Sequence, residues 1–165
     1  TKTFLPVLKS AGMTLAPFNA WVVLKSLETL DLRVQRACDN ALAVARFLEP
    51  RLPRLLYPGL ASHPQHELAM RQMSAGGTIL ALFVDGGRRQ AHALLDAMQL
   101  IDISNNLGDS RSLMTHPAST THASVSAEAR EAMGITEGML RLSIGLEDPA
   151  DLIDDLDQAL KAVGL

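Results

Sequence analysis

Positive charge, lysine, cysteine and long apolar runs are all scarce in this 165-residue chain, and each scarcity removes a class of function. Lys and Arg number 15 against 18 Asp and Glu, for a formal net charge of −3 and a pI near 5.9. No basic patch is available for nucleic acid or an acidic membrane surface. The single cysteine, Cys38, cannot form an internal disulfide, which points to a reducing, cytoplasmic setting. The longest apolar runs, such as residues 77–84, fall far short of the ~20 residues a transmembrane helix needs. The opening TKTFLPVLKS has no basic stretch followed by an apolar one, so no signal peptide is expected. It also lacks an initiator Met, as a processed, trimmed or excised chain would. Lysine occurs only as Lys2, Lys9, Lys25 and Lys161, none in a recognisable setting for a Schiff base, and no Ser sits in a nucleophile elbow. The chain offers no catalytic set of its own.

What is present is core. A hydrophobic content of 47% suits one compact domain of this length. Pro17 fits the first turn of a helix carrying Trp21, Leu24, Leu27 and Leu30 at helical spacing. A second helix runs from about Leu32 to Leu48 and is ended by Pro50 and Pro53. Further helices are expected over 63–73, 91–98 and 127–133, the last capped by Ser126 and stopped by Gly134. A final helix starts with Asp148 as its cap and Pro149 in its first turn. On it Ile153, Leu156 and Leu160 form the apolar face, and Asp151, Asp154, Asp155 and Asp157 an opposite acidic one. Strands are expected at 55–57, 78–84, 100–103 and 139–144. With no repeat, linker or low-complexity tract, the architecture is an α+β domain: a small, mostly antiparallel sheet covered by helices on one side.

Among polar residues Arg141 is the most informative, because LRLSIG places it on an otherwise apolar strand. An unpaired buried charge costs several kcal/mol, so three readings stand. Arg141 lies on the exposed face, pairs with an internal Asp, or holds an anion, for which its planar fork suits a carboxylate. The histidines group as His63/His66 and His116/His122, which raises zinc. No third ligand has matching spacing, so hydrogen-bonded loop histidines and no metal are expected. Gly76-Gly77 and Gly86-Gly87 lack the phosphate-loop pattern and read as turns flanking a strand. Residues 104–122, SNNLGDSRSLMTHPASTTH, are more densely polar than turn chemistry requires.

That segment carries a resemblance. NNLGDSR, SLMTHPASTTH and GMLRLSIGLED resemble the carboxy-terminal domain of the Cys/Met-metabolism pyridoxal-phosphate enzymes, which have the aspartate-aminotransferase fold (fold type I). So do AGMTLAPFNAWVVLKSLETLDLR, NALAVARFLE and YPGLASHPQHELA. The resemblance spans residues 1–165, as a substrate-binding domain whose first 30 residues form an approach segment and inter-domain helix. Members include cystathionine synthases and lyases, methionine γ-lyase and homoserine-ester sulfhydrylases. The Ser-Asn-Asn-Leu-Gly-Asp run is most similar to the O-succinylhomoserine sulfhydrylase branch.

The resemblance implies that a larger preceding domain supplies the lysine, phosphate cradle and ring contacts for pyridoxal 5'-phosphate, and that this part supplies the wall for the substrate's α-carboxylate. Arg141 matches the family's carboxylate-binding arginine. Asn106 stands where many relatives carry Ser in S-L-G-G or S-L-G-D, and an amide can also donate to a carboxylate. The backbone N–H of Leu107 follows it, Thr121 matches the Thr of HPAS-x-T-H, and His116 and His122 brace the loop. The implied substrates are a homoserine ester and sulfide, joined to homocysteine in methionine biosynthesis. The implied partners are the enzyme's own large domain and further copies in a tetramer. This part alone is expected to be inactive and to bind the cofactor poorly. The sister reactions of cystathionine γ-synthase, methionine γ-lyase and O-acetylhomoserine sulfhydrylase use the same clamp. A free-standing, non-catalytic interaction module is the alternative of another class.

Overall fold

The structure, a computed structural model, describes residues 4–12 and 14–165. Lys2, weighed above as a cofactor lysine, lies outside the described residues. The chain divides into two compact units, Thr1–Leu32 and Arg33–Leu165. The first holds helices α1 (Phe4–Ala11) and α2 (Pro17–Leu27), the latter with Pro17 in its first turn as expected. Neither helix buries a residue, and Phe4, Phe18 and Trp21 are mostly exposed.

The second unit contains most of α3 (Leu30–Leu48), followed by β1 (Arg54–Leu56), α4 (His66–Gln72), β2 (Ile79–Phe83) and α5 (Gly87–Asp96). Then come β3 (Asp102–Ile103), β4 (Leu113–Thr115), a 3-10 turn (Pro117–Ser119), α6 (Ala127–Ala132), β5 (Met139–Ser143) and α7 (Pro149–Ala162). The sheet runs β1-β2-β5-β4-β3, antiparallel throughout except for the β3–β4 pair. Its pleat sends Leu80, Leu82, Leu140, Leu142 and Met114 to one face. There they meet Ala41, Val44, Ala45 and Leu48 of α3, Leu94 and Leu95 of α5, and Leu152, Leu156 and Leu160 of α7. Each such leucine contributes about 1.5–3 kcal/mol by leaving water. This is the α+β arrangement the sequence suggests, with helices on one face of a mostly antiparallel sheet.

Three local expectations change. Strand β4 and the turn after it lie inside the polar segment, and every residue from Ser112 to Ala118 is buried. The helix expected over 63–73 begins only at His66, because Pro64 and its neighbours form turns first. Asp155 is not on an exposed acidic face. It is 6% exposed, and its carboxylate accepts the backbone N–H groups of Gln99 (2.8 Å), Leu100 (2.9 Å) and Ile101 (3.0 Å). The helical period explains this, since Asp155 is three residues from Leu152 and four from Ala159, both buried. Among the described residues, no helix is long and apolar enough to cross a membrane.

Candidate functional site

The sheet's other face carries the candidate site, and strand register builds it. Arg141 on β5 lies opposite Ala81 of β2 and Thr115 of β4, so the three form one row across the sheet. Ser143, two residues along β5, points the same way by the pleat. The loop 105–108 folds over this row. Gly108 donates its N–H to Ser143 Oγ (3.1 Å), and Thr115 Oγ1 donates to Asn105 Oδ1 (2.8 Å). Gly108 has φ +74°, the left-handed region, which glycine enters without strain.

Between these two anchors the Arg141 guanidinium meets backbone oxygens. Nη2 donates to the carbonyls of Asn105 (2.7 Å) and Asn106 (3.1 Å). Its Nε is buried without a hydrogen-bond partner among the described residues. Arg141 forms no ion pair among the described residues, so pairing with an internal Asp is ruled out there. A half-buried cation held by neutral oxygens has no counter-charge beside it and can take an incoming anion. An orphaned buried donor of this kind costs about 1–3 kcal/mol, which a bound partner can offset. A guanidinium fork of this kind suits a carboxylate chemically.

The other expected site residues divide. Asn106 contributes its carbonyl to Arg141, its N–H donates to Ser104 Oγ (3.2 Å), and its side chain is exposed. Leu107 is exposed, next to the anchored Gly108. Thr121 is exposed and its hydroxyl pairs with His122 Nδ1 (2.9 Å), so it does not join the network around Arg141. Thr120 does: its hydroxyl donates to the His116 carbonyl (2.7 Å), and its Oγ1 lies 2.9 Å from Thr115 Oγ1. Sequence reasoning missed Asn105, Thr115, Thr120 and Ser143. Only the alternation of β4 and β5 could have shown that Thr115 shares a face with Arg141.

A second layer fixes the strand ends. Ser112 Oγ donates to Glu147 Oε2 (2.9 Å) and accepts the N–H of Gly145 (2.9 Å). Buried Asn40 on α3 donates to the carbonyls of Gly145 (3.1 Å) and Glu147 (2.8 Å). A Cβ at Gly145 would stand 2.4 Å from the Ser110 carbonyl oxygen, so only glycine fits. His116 is 1% exposed, with Nε2 2.9 Å from the Glu137 carbonyl and Nδ1 2.8 Å from Ser119 Oγ. Burial holds its imidazole below the usual histidine range, so it braces the loop as the neutral ring. Among the described residues no three His, Cys, Asp or Glu side chains group as metal ligands. His66 instead bonds the Pro58 carbonyl (2.9 Å), and His63 accepts the Gln65 N–H (3.2 Å).

A cofactor aldehyde would need a lysine, and the described lysines are placed as follows. Lys25 is paired with Glu28, Lys161 with Asp157, and Lys9 lies on α1 in the first unit. The Arg141 face offers donors suited to an anion, and the second unit's one lysine, Lys161, is paired with Asp157.

Comparison with known proteins identifies the family. A sequence profile of the Cys/Met metabolism PLP-dependent enzymes matches residues 2–161. The chain is 49% identical over 160 residues to an O-succinylhomoserine sulfhydrylase of Mycobacterium tuberculosis, covering 93% of this chain and 39% of that protein. It is 43% identical over 159 residues to an L-methionine gamma-lyase of Treponema denticola, covering 95% and 40%. A crystal structure of cystathionine gamma synthase from Xanthomonas oryzae, in complex with aminoacrylate and cysteine, superposes with a TM-score of 0.87 at 40% identity. That superposition covers 94% of this chain and 41% of the synthase. The chain spans about two fifths of the length of these relatives. By the profile, the identities and the shared fold, the chain belongs to the Cys/Met-metabolism PLP-dependent enzymes, whose structural neighbours are fold type I.

Proposed function

We propose that this chain is the substrate-clamp part of an O-succinylhomoserine sulfhydrylase, which joins O-succinylhomoserine and sulfide to give homocysteine and succinate. The observation that carries the reading is the Arg141 guanidinium, without a counter-charge among the described residues and held by two backbone carbonyls. The choice of reaction rests on similarity. Relatives of that name in Mycobacterium tuberculosis and Pseudomonas aeruginosa are 49% and 45% identical to this chain. The Asn105-Asn106-Leu107-Gly108 run forms the loop over Arg141.

In this reading Arg141 takes the α-carboxylate of the amino acid through its guanidinium. The Asn106 amide and the Leu107 N–H contact the same group, and Thr121 lines the rim. Fixing the carboxylate limits rotation of the substrate, so its reacting carbons stay aligned while sulfide replaces succinate at Cγ. The cofactor's lysine and phosphate site belong to the part of the relatives that this chain does not span. No step of the cofactor's chemistry is assigned to residues here, and the chain alone has no turnover. The exposed apolar side chains of α1 and α2 pack on that other part, within a cytoplasmic tetramer of copies.

The test uses the full-length enzyme with three substrate sets. O-succinylhomoserine with sulfide should give homocysteine fastest. Faster cystathionine formation from O-succinylhomoserine with cysteine, or faster breakdown of methionine, would overturn the assignment in favour of the corresponding sister activity.

A further inference from the structure

We propose that the Asn105 side chain and the Thr115 hydroxyl act together as positioning residues that set the direction of the Arg141 guanidinium. This deepens the clamp reading above and rests on it.

Thr115 is 1% exposed and directly opposite Arg141 in the β4–β5 register. Its single hydroxyl proton goes to Asn105 Oδ1 at 2.8 Å, an oxygen that only accepts. Thr120 Oγ1 lies 2.9 Å away on its other side. Asn105 thus works at both ends: its side chain is tied to β4, and its main-chain carbonyl takes Arg141 Nη2 at 2.7 Å, the shorter of the two contacts. The loop's far end is tied to Ser143 of β5 through Gly108.

The guanidinium therefore sits under a bridge anchored on two adjacent strands, and the carbonyl that aims it moves with the Asn105 side chain. Asn105 itself is exposed, so its amide is not there to fill the core. Arg141 Nε has no partner to restore its direction if that carbonyl shifts. Removing the Asn105–Thr115 bond leaves the cation and its charge in place and loosens only its aim.

The experiment compares Asn105→Ala, Thr115→Val, their double variant, Thr115→Ser and Arg141→Ala in the full-length, cofactor-loaded enzyme. Glycine binding is measured by calorimetric titration, and KM for the amino acid and for sulfide by steady-state kinetics. Asn105→Ala keeps the aiming carbonyl and removes only the side-chain tie. Each single variant should weaken glycine binding and raise the amino-acid KM about fivefold, the size of one net hydrogen bond. The double variant should lose no more than either single, because both break one link. Thr115→Ser should bind as the native enzyme does, and KM for sulfide should stay unchanged throughout.

Native glycine affinity in both single variants, alongside a large loss in Arg141→Ala, would overturn this proposal and leave the clamp intact. Native affinity in Arg141→Ala as well would overturn both. Equal losses in both KM values with a lowered melting temperature would show a structural tie only, also against the proposal. If Thr115→Val does not fold, Asn105→Ala on the exposed loop decides alone.

Discussion

Arg141 differs from Arg88, Arg111 and Arg130 in what it lacks. Arg88 and Arg130 share the carboxylate of Glu137 at 2.8 and 3.0 Å, and Arg111 pairs with Asp102 at 2.8 Å. Arg141 has neutral oxygens only. Arg141→Lys keeps the charge and loses the planar fork, so the amino-acid KM of the full-length enzyme should rise about tenfold. Steady-state kinetics would show this, and a KM equal to the native value would contradict the role of the fork. Gly145→Ala puts a methyl carbon against the Ser110 carbonyl oxygen, 2.4 Å away, and should cost about 1–3 kcal/mol by overpacking. Thermal melting checks it. His116 gives a pH prediction. Burial lowers its folded pKa, His92 lowers it further, and the Glu137 carbonyl pulls it up. The unfolded imidazole titrates near 6.5, so below that pH the unfolded state binds more protons. Stability supplied by the neutral ring is complete above about pH 6.5 and falls as pH drops towards the lower folded pKa. His116→Gln should flatten this part of a stability-versus-pH curve, and an unchanged slope would show that His116 does not set it.

Elements read from the sequence succeeded where a single segment's own pattern decides them. Pro17, Ser126 and Asp148-Pro149 each begin a helix where expected, and Ser126 and Asp148 accept the N–H of Ala129 (3.3 Å) and Ala150 (2.9 Å). β2 and β5 announce themselves by apolar content, and the position of Arg141 on β5 was legible for the same reason. β4 was hidden because its polar end Thr115 and its flanks Ser112 and His116 resemble a loop until their partners are known. Those partners, Glu147, Asn105 and Glu137, lie up to 35 residues away in sequence. The same holds for Asp155, whose three N–H partners come from the connection between α5 and β3. Asp155→Ala should leave those donors unpaired and speed amide exchange at Gln99, Leu100 and Ile101 about ten- to a hundredfold. Hydrogen-exchange mass spectrometry over residues 99–101 reads it directly, and native exchange there would remove Asp155 from the structural account.

For the whole molecule, the chain matches relatives of which it spans about two fifths, and the reading proposed above makes Arg141 a clamp for a substrate carboxylate. Family membership follows from the chain as a whole, whereas the choice of reaction depends on parts of the pocket that the clamp does not discriminate. Every sister reaction begins with an amino acid whose carboxylate must be held. The central claim is therefore the charge-specific grip of Arg141. It is tested by titrating the full-length, cofactor-loaded enzyme and its Arg141→Ala variant with glycine and with glycinamide, which lacks the carboxylate charge. The native enzyme should prefer glycine by about ten- to a hundredfold, as expected for hydrogen bonds to a charged group, and Arg141→Ala should lose that preference. Equal preference for glycine in the native and variant enzymes would contradict the account.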